Sequence, residues 1–104
     1  MPSFHFMDNQ YAPNRESPLH YDSSARISMV LWGDLKERTG RQAVEARAFS
    51  LVVKPRDVKH ANQYGRRGAR IFSVLFDSDQ LPAFLPNGDT YQWYHRGAQL
   101  PILR

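Results

Sequence analysis

The 104-residue chain contains no cysteine. Disulfides, cysteine-ligated zinc and thiol nucleophiles are therefore excluded. No run approaches the roughly 18 consecutive apolar residues that a membrane-crossing helix needs, so no membrane span is expected. The opening MPSFHFMDNQ lacks a basic stretch followed by an apolar one, and a secretory signal is not expected. G-x-S-x-G, Walker, Rossmann and H-E-x-x-H patterns are missing too, which leaves hydrolase, nucleotide and metalloprotease readings without support. Lysine is scarce: 11 of the 14 cationic residues are arginine, the residue suited to planar, bidentate contacts with carboxylate or phosphate.

What is present is globular. The chain is 41% apolar, 12% aromatic and 23% charged, without the low hydrophobicity and high net charge of disorder. Its length suits one core, so a single domain over residues 1–104 is expected, and a cytoplasmic location fits. The net charge is +4, but the cations are dispersed, with one local pair at Arg66-Arg67. A nucleic-acid binder usually gathers its cations on one element. Direct nucleic-acid binding is thus not expected; Arg66, Arg67 and Arg70 would carry it if it occurred.

Three zones divide the chain. Residues 1–18 read as a proline-containing arm, 19–76 as the strand-rich core, and 77–104 as an aromatic tail with Pro82, Pro86 and Pro101. In Arg26–Leu35 the odd positions Ile27, Met29, Leu31, Gly33 and Leu35 predict the buried face of a strand. Phe49, Leu51 and Val53 repeat the alternation and stop at Pro55. Ala69–Phe76 is apolar on both faces and predicts a central strand. Gly65-Arg66-Arg67-Gly68 reads as a hairpin loop before it. Short turns of helix are expected at Asp77–Leu81 and Ala98–Leu103, and FHFMDNQY as surface or an edge strand. Trp93 and Tyr94 are expected to fold back on the core. Many short strands with frequent turns predict a sandwich or barrel.

The chemistry gathers around histidine. Alternation puts His60, Asn62 and Tyr64 on one face, and His20 and Asp22 on one face of Leu19–Asp22. If these strands are neighbours, two imidazoles and a carboxylate converge, the ligand set of a facial triad for non-haem iron. Arg26 lies four residues beyond Asp22 and suits an ion pair or an anion. Met29, Leu31, Phe49, Leu51, Phe72 and Val74 are the candidate apolar walls of a pocket.

The stretch from His20 to Phe76 resembles the cupin superfamily. The first cupin motif runs Gly, H-x-H, three or four residues, Glu, six residues, Gly; here it reads His20-Tyr21-Asp22, three residues, Arg26, six residues, Gly33. The second runs Gly, then Pro-x-Gly, two residues, His, three residues, Asn; here Phe49 takes the opening Gly, followed by Pro55-Arg56-Asp57, His60 and Tyr64. Fifteen residues separate Gly33 from Phe49, as in the compact bacterial form. Within cupins, SLVVKPRDVKHANQYGRRGARIFSVLF looks like the N-terminal sensor domains of AraC-like transcription regulators, standing here without a helix-turn-helix.

The resemblance implies an all-β, single-domain cupin-type barrel (double-stranded β-helix, or jelly roll) with a short C-terminal helical tail, a barrel pocket and a homodimer. Cupin metal sites use two His and one Glu from the first motif and one His from the second. Here Asp22 and Arg26 stand at two of those places. A guanidinium aimed at the ion would oppose it by up to roughly 8 kcal/mol at about 4 Å and an effective dielectric near 20. The expectation is a small-molecule-binding module without cofactor, using His20, Asp22, Arg26, His60, Asn62 and Tyr64. The alternative is a metal-dependent dioxygenase, isomerase or sugar-modifying enzyme with a divalent ion on His20, Asp22 and His60.

Overall fold

A computed structural model describes residues 4–40, 42–76, 92–96 and 98–99. They form β1 (Phe4–Tyr11), β2 (Glu16–His20), β3 (Ala25–Thr39), β4 (Gln42–Arg47), β5 (Ser50–Lys54), β6 (His60–Phe76), β7 (Gln92–His95) and β8 (Ala98–Gln99), and no helix. All pairings are antiparallel, in the order β1-β6-β3-β5-β7-β8, with β2 attached to β6 and β4 to β3. The all-β expectation holds. FHFMDNQY is an edge strand on β6, so part of the expected N-terminal arm belongs to the sheet. Ala98–Gln99 is a strand, not the expected helical turn; Leu100–Leu103 and Asp77–Leu81 lie outside the described residues.

The expected hairpin at Gly65–Gly68 is not a hairpin. β6 runs through it for 17 residues, pairing β2 at its start, β1 at its end and β3 along most of its length. Glycine explains the continuity. Gly33 and Gly68 both have positive φ, and a Cβ on Gly33 would overlap the Gly68 carbonyl oxygen. The two longest strands cross backbone to backbone there, and each bends across the crossing without ending.

The same crossing overturns the predicted inner face of β3. Register shifts fall between Val30 and Trp32 and between Gly33 and Leu35. The inward residues are therefore Ser28 and Val30 before the irregularity and Leu35, Glu37 and Thr39 after it. An extra residue in a ladder reverses the alternation. Of the expected pocket walls, Met29 pairs with Phe72 and with Leu51, and Val74 pairs with Ile27, on the opposite face from Ser28, Val30 and Ser73. Phe49 is exposed.

The core has two apolar clusters. Val30, Leu35, Ala46, Tyr64 and Ala69 pack with Tyr11 and Ile71; Val44, Val52 and Trp93 form the second. Tyr11 stacks on Tyr64 with centroids 4.3 Å apart. The Ser28 and Ser73 hydroxyls satisfy each other at 2.6 Å. Trp93 folds back as expected, carried inside by the pairing of β7 with β5. The interior bounded by Ser28, Val30, Leu35, Val52 and Trp93 leaves about 10 Å³, room for one water. The barrel centre is packed, as small barrels are, and the expected internal pocket is not there among the described residues.

Candidate metal centre

β2 pairs with the first residues of β6, and its register brings His20 opposite His60 after a shift beyond Ser17. Pro18 occupies that shift, where an edge strand tolerates a missing N–H. The imidazoles meet edge to face, with centroids 4.3 Å apart at 66°. Asp22 is not on the strand with His20 as the alternation predicts; it sits in the turn between β2 and β3. That turn is tied to the next one, because the Asp57 amide donates to the Asp22 carbonyl at 2.9 Å. Asp57 has φ +62, a conformation that Asp tolerates better than most residues.

The result is the convergence that the spacing suggested. One ligand atom from each of His20, Asp22 and His60 lies within 4.8 Å of the others. His60 Nε2 is 3.4 Å from Asp22 Oδ2, and His20 Nε2 is 4.0 Å from Asp22 Oδ1. Both imidazoles face away through Nδ1, which lies 2.7 Å from the Pro18 carbonyl in His20 and 3.1 Å from the Val58 carbonyl in His60. A carbonyl accepts only, so each ring donates through Nδ1 and turns its Nε2 to the carboxylate. An imidazole nitrogen beside an anion calls for a proton or a cation between them. Burial, followed by the charge of Lys54, pulls the His60 pKa below the ordinary histidine value, against the opposing pull of Glu37, the Val58 carbonyl and Asp22. That favours the neutral, ligating form.

The donor set fits a divalent ion. Ligands about 2.0–2.2 Å from zinc or a similar ion stand about 3.0–3.5 Å from each other; His60 and Asp22 are at that separation, and the exposed His20 would close by about half an ångström to join them. Each histidine has the backbone carbonyl on its far nitrogen that orients metal-bound imidazoles. His20 is 41% exposed at the side chain and His60 only 3%, so the triad opens to solvent on one side.

Arg26 supplies the fourth group. Its Nη2 is 3.4 Å from Asp22 Oδ1, the ion pair that the spacing of four suggested. It leaves Oδ2 directed at His60. The Arg26 Nε is buried without a hydrogen-bond partner. Asn62 and Tyr64 share the inner face with His60 and are buried as it is. With its nitrogen turned inward, Asn62 donates to Glu37 Oε2 at 3.2 Å and to the Ala61 carbonyl at 3.0 Å. Its other amide atom is 3.3 Å from the Tyr64 hydroxyl. Burial pushes the Tyr64 pKa up to about 12.

Sequence reasoning missed Glu37 and Lys54. They form a buried ion pair at 3.3 Å, with side chains 3% and 10% exposed. The signal was present: Glu37 alternates with Leu35 and Thr39, and Lys54 with Ser50 and Val52. The bulges in β3 hid the first pattern. Of the arginines considered for nucleic acid, Arg70 is held bidentately by Asp8 at 2.9 and 2.6 Å, while Arg66 and Arg67 are exposed.

No protein-family model and no curated protein matches the sequence. Solved structures do match the fold. A variant of oxalate decarboxylase from Bacillus subtilis superimposes with a TM-score of 0.65 at 17% identity, over 75% of this chain and 22% of that one. A cupin-2 domain protein from Shewanella frigidimarina gives 0.59 at 18% identity, over 68% of each chain. The polyketide cyclase RemF of Streptomyces resistomycificus gives 0.62 at 19% identity, over 83% of this chain and 64% of that one. This is therefore a cupin fold. The chain spans only about a fifth of the oxalate decarboxylase.

Proposed function

We propose that this cupin binds a divalent transition-metal ion on His20, Asp22 and His60, and takes a small anionic ligand beside it. The observation that carries the reading is the pair of imidazoles whose Nδ1 atoms are anchored on carbonyls while their Nε2 atoms converge on one carboxylate. Two histidines and a carboxylate with open positions suit iron(II), manganese, nickel or zinc. A bound ion would supply Lewis-acid polarisation of a ligand oxygen. His20 and His60 would hold the ion through neutral nitrogens. Asp22 would offset part of its charge. Arg26, held beside the centre by Asp22, would fix the ligand's anionic group through its guanidinium. The AraC-like look of residues 50–76 is compatible with such a ligand-binding module.

A second reading keeps the centre free of metal, with a proton on one histidine. The Arg26 guanidinium beside Asp22 favours it, because that cation opposes a second one. Elemental analysis after purification without chelator separates the two, together with titration by nickel, zinc, manganese and iron(II). The first reading predicts one ion per chain and at least a tenfold loss of affinity in His60→Ala and Asp22→Asn. Metal content at background, with an unfolding midpoint that no ion moves, would overturn it in favour of the second.

A further inference from the structure

Away from the metal centre, at the opposite end of β5, position 49 is strained. Phe49 ends the two-residue Ala48-Phe49 turn between β4 and β5 with φ +71, a region where bulky residues are outliers. Its amide donates to the Val30 carbonyl at 2.7 Å, and the Arg47 amide donates to Ser50 Oγ at 3.0 Å, so the turn is fixed whatever side chain it carries. A glycine or asparagine would adopt it at less cost. Burial does not offset the strain, because Phe49 is 61% exposed. The same surface contains a second left-handed residue, Arg96, with φ +50.

Around Phe49 opens a shallow trough of about 630 Å³ lined by Trp32, Asp34, Arg47, Arg67, His95 and Arg96, among others. Arg47, Arg67 and Arg96 are exposed and have no carboxylate partner among the described residues. Asp34 is the single acid in the lining. Exposed guanidiniums are worth little one at a time in water, and an open trough buries little of a small ligand. A chain of phosphates can engage all three at once and gain by releasing counterions. A ring held out at the lip offers its face to a flat base.

We infer that the Phe49 trough is a docking surface for single-stranded nucleic acid, with Phe49 as the stacking platform and Arg47, Arg67 and Arg96 on successive phosphates. The trough shares no residue with the metal centre. It revises the sequence expectation: the cations that matter come from the end of β4, the middle of β6 and the residue after β7, so no segment looks basic on its own.

The test is fluorescence anisotropy with a labelled single-stranded 12-mer across a salt series, on wild type, F49G and the R47Q/R67Q/R96Q triple variant. Wild type should bind with a log–log salt slope near −2, from about −0.7 for each phosphate contacted. F49G should bind at least fivefold more weakly while its unfolding midpoint stays level or rises, since the strain is relieved. The triple variant should flatten the slope. Metal uptake at His20, Asp22 and His60 should be unchanged in all three. The inference is overturned by absent binding at low salt, by F49G binding like wild type, or by a lower midpoint in F49G. It is equally overturned if duplex DNA or polyglutamate of equal charge competes as well as the single strand.

Discussion

Lys54 and Glu37 form a buried ion pair. Separating such a pair costs more than never having built it, because the survivor stays buried and uncompensated. Lys54→Met should therefore destabilise the protein by about 3 kcal/mol in urea unfolding. Glu37→Leu in the same chain should restore much of the loss. Tyr64 makes a pH-dependent contribution of its own. Its folded pKa of about 12 lies above the ordinary value of 10. The unfolded chain thus loses its proton first as the solution becomes alkaline. The associated stability is complete below pH 10 and drains away between pH 10 and about 12, by roughly 3 kcal/mol at about 1.4 kcal/mol per unit. Tyr64→Phe should remove that alkaline phase from a midpoint-against-pH profile. A profile unchanged by the substitution would place the phase elsewhere.

Among the strands, the crossing of β3 and β6 decides which side chains face inward. Gly33→Ala would push a methyl group into the Gly68 carbonyl at a left-handed φ. Gly40 is also left-handed, but a methyl group there would meet nothing within 4 Å. Gly33→Ala should then cost about 3 kcal/mol or prevent folding, from strain plus overpacking. Gly40→Ala should cost only about 1 kcal/mol. Equal losses in thermal melts would show that the crossing does not constrain the fold. This crossing also marks where the sequence stopped being legible. Period-two patterning found the outer half of β6 and the shared face of His60, Asn62 and Tyr64; it located β5 but chose Phe49, Leu51 and Val53, where Ser50, Val52 and Lys54 face inward. It failed in β3, because two irregularities after Val30 reverse the alternation and pattern-reading assumes an unbroken pleat. It failed again at Gly65–Gly68, where turn-forming residues serve to bend a strand.

Over the whole chain, the centre was more legible than its surroundings. His20, Asp22 and His60 were paired from spacing, and the fold brings them together through the β2–β6 register and the tied turns at Asp22 and Asp57. The pocket expected beside them was not found among the described residues, because apolar residues on a strand cannot announce whether they fill a core or line a void. Glu37 and Lys54 were overlooked because buried charge is rare enough that a polar residue in a strand is first read as exposed. The 17-residue β6 has a consequence for how this protein could ever be taken apart. Three neighbours hang on one uninterrupted ribbon, so the molecule offers no seam through its middle. A protease nick or an inserted tag within residues 60–76 would unfasten all of them together, and split halves meant to reassemble would do better with a break in the turn around Asn14.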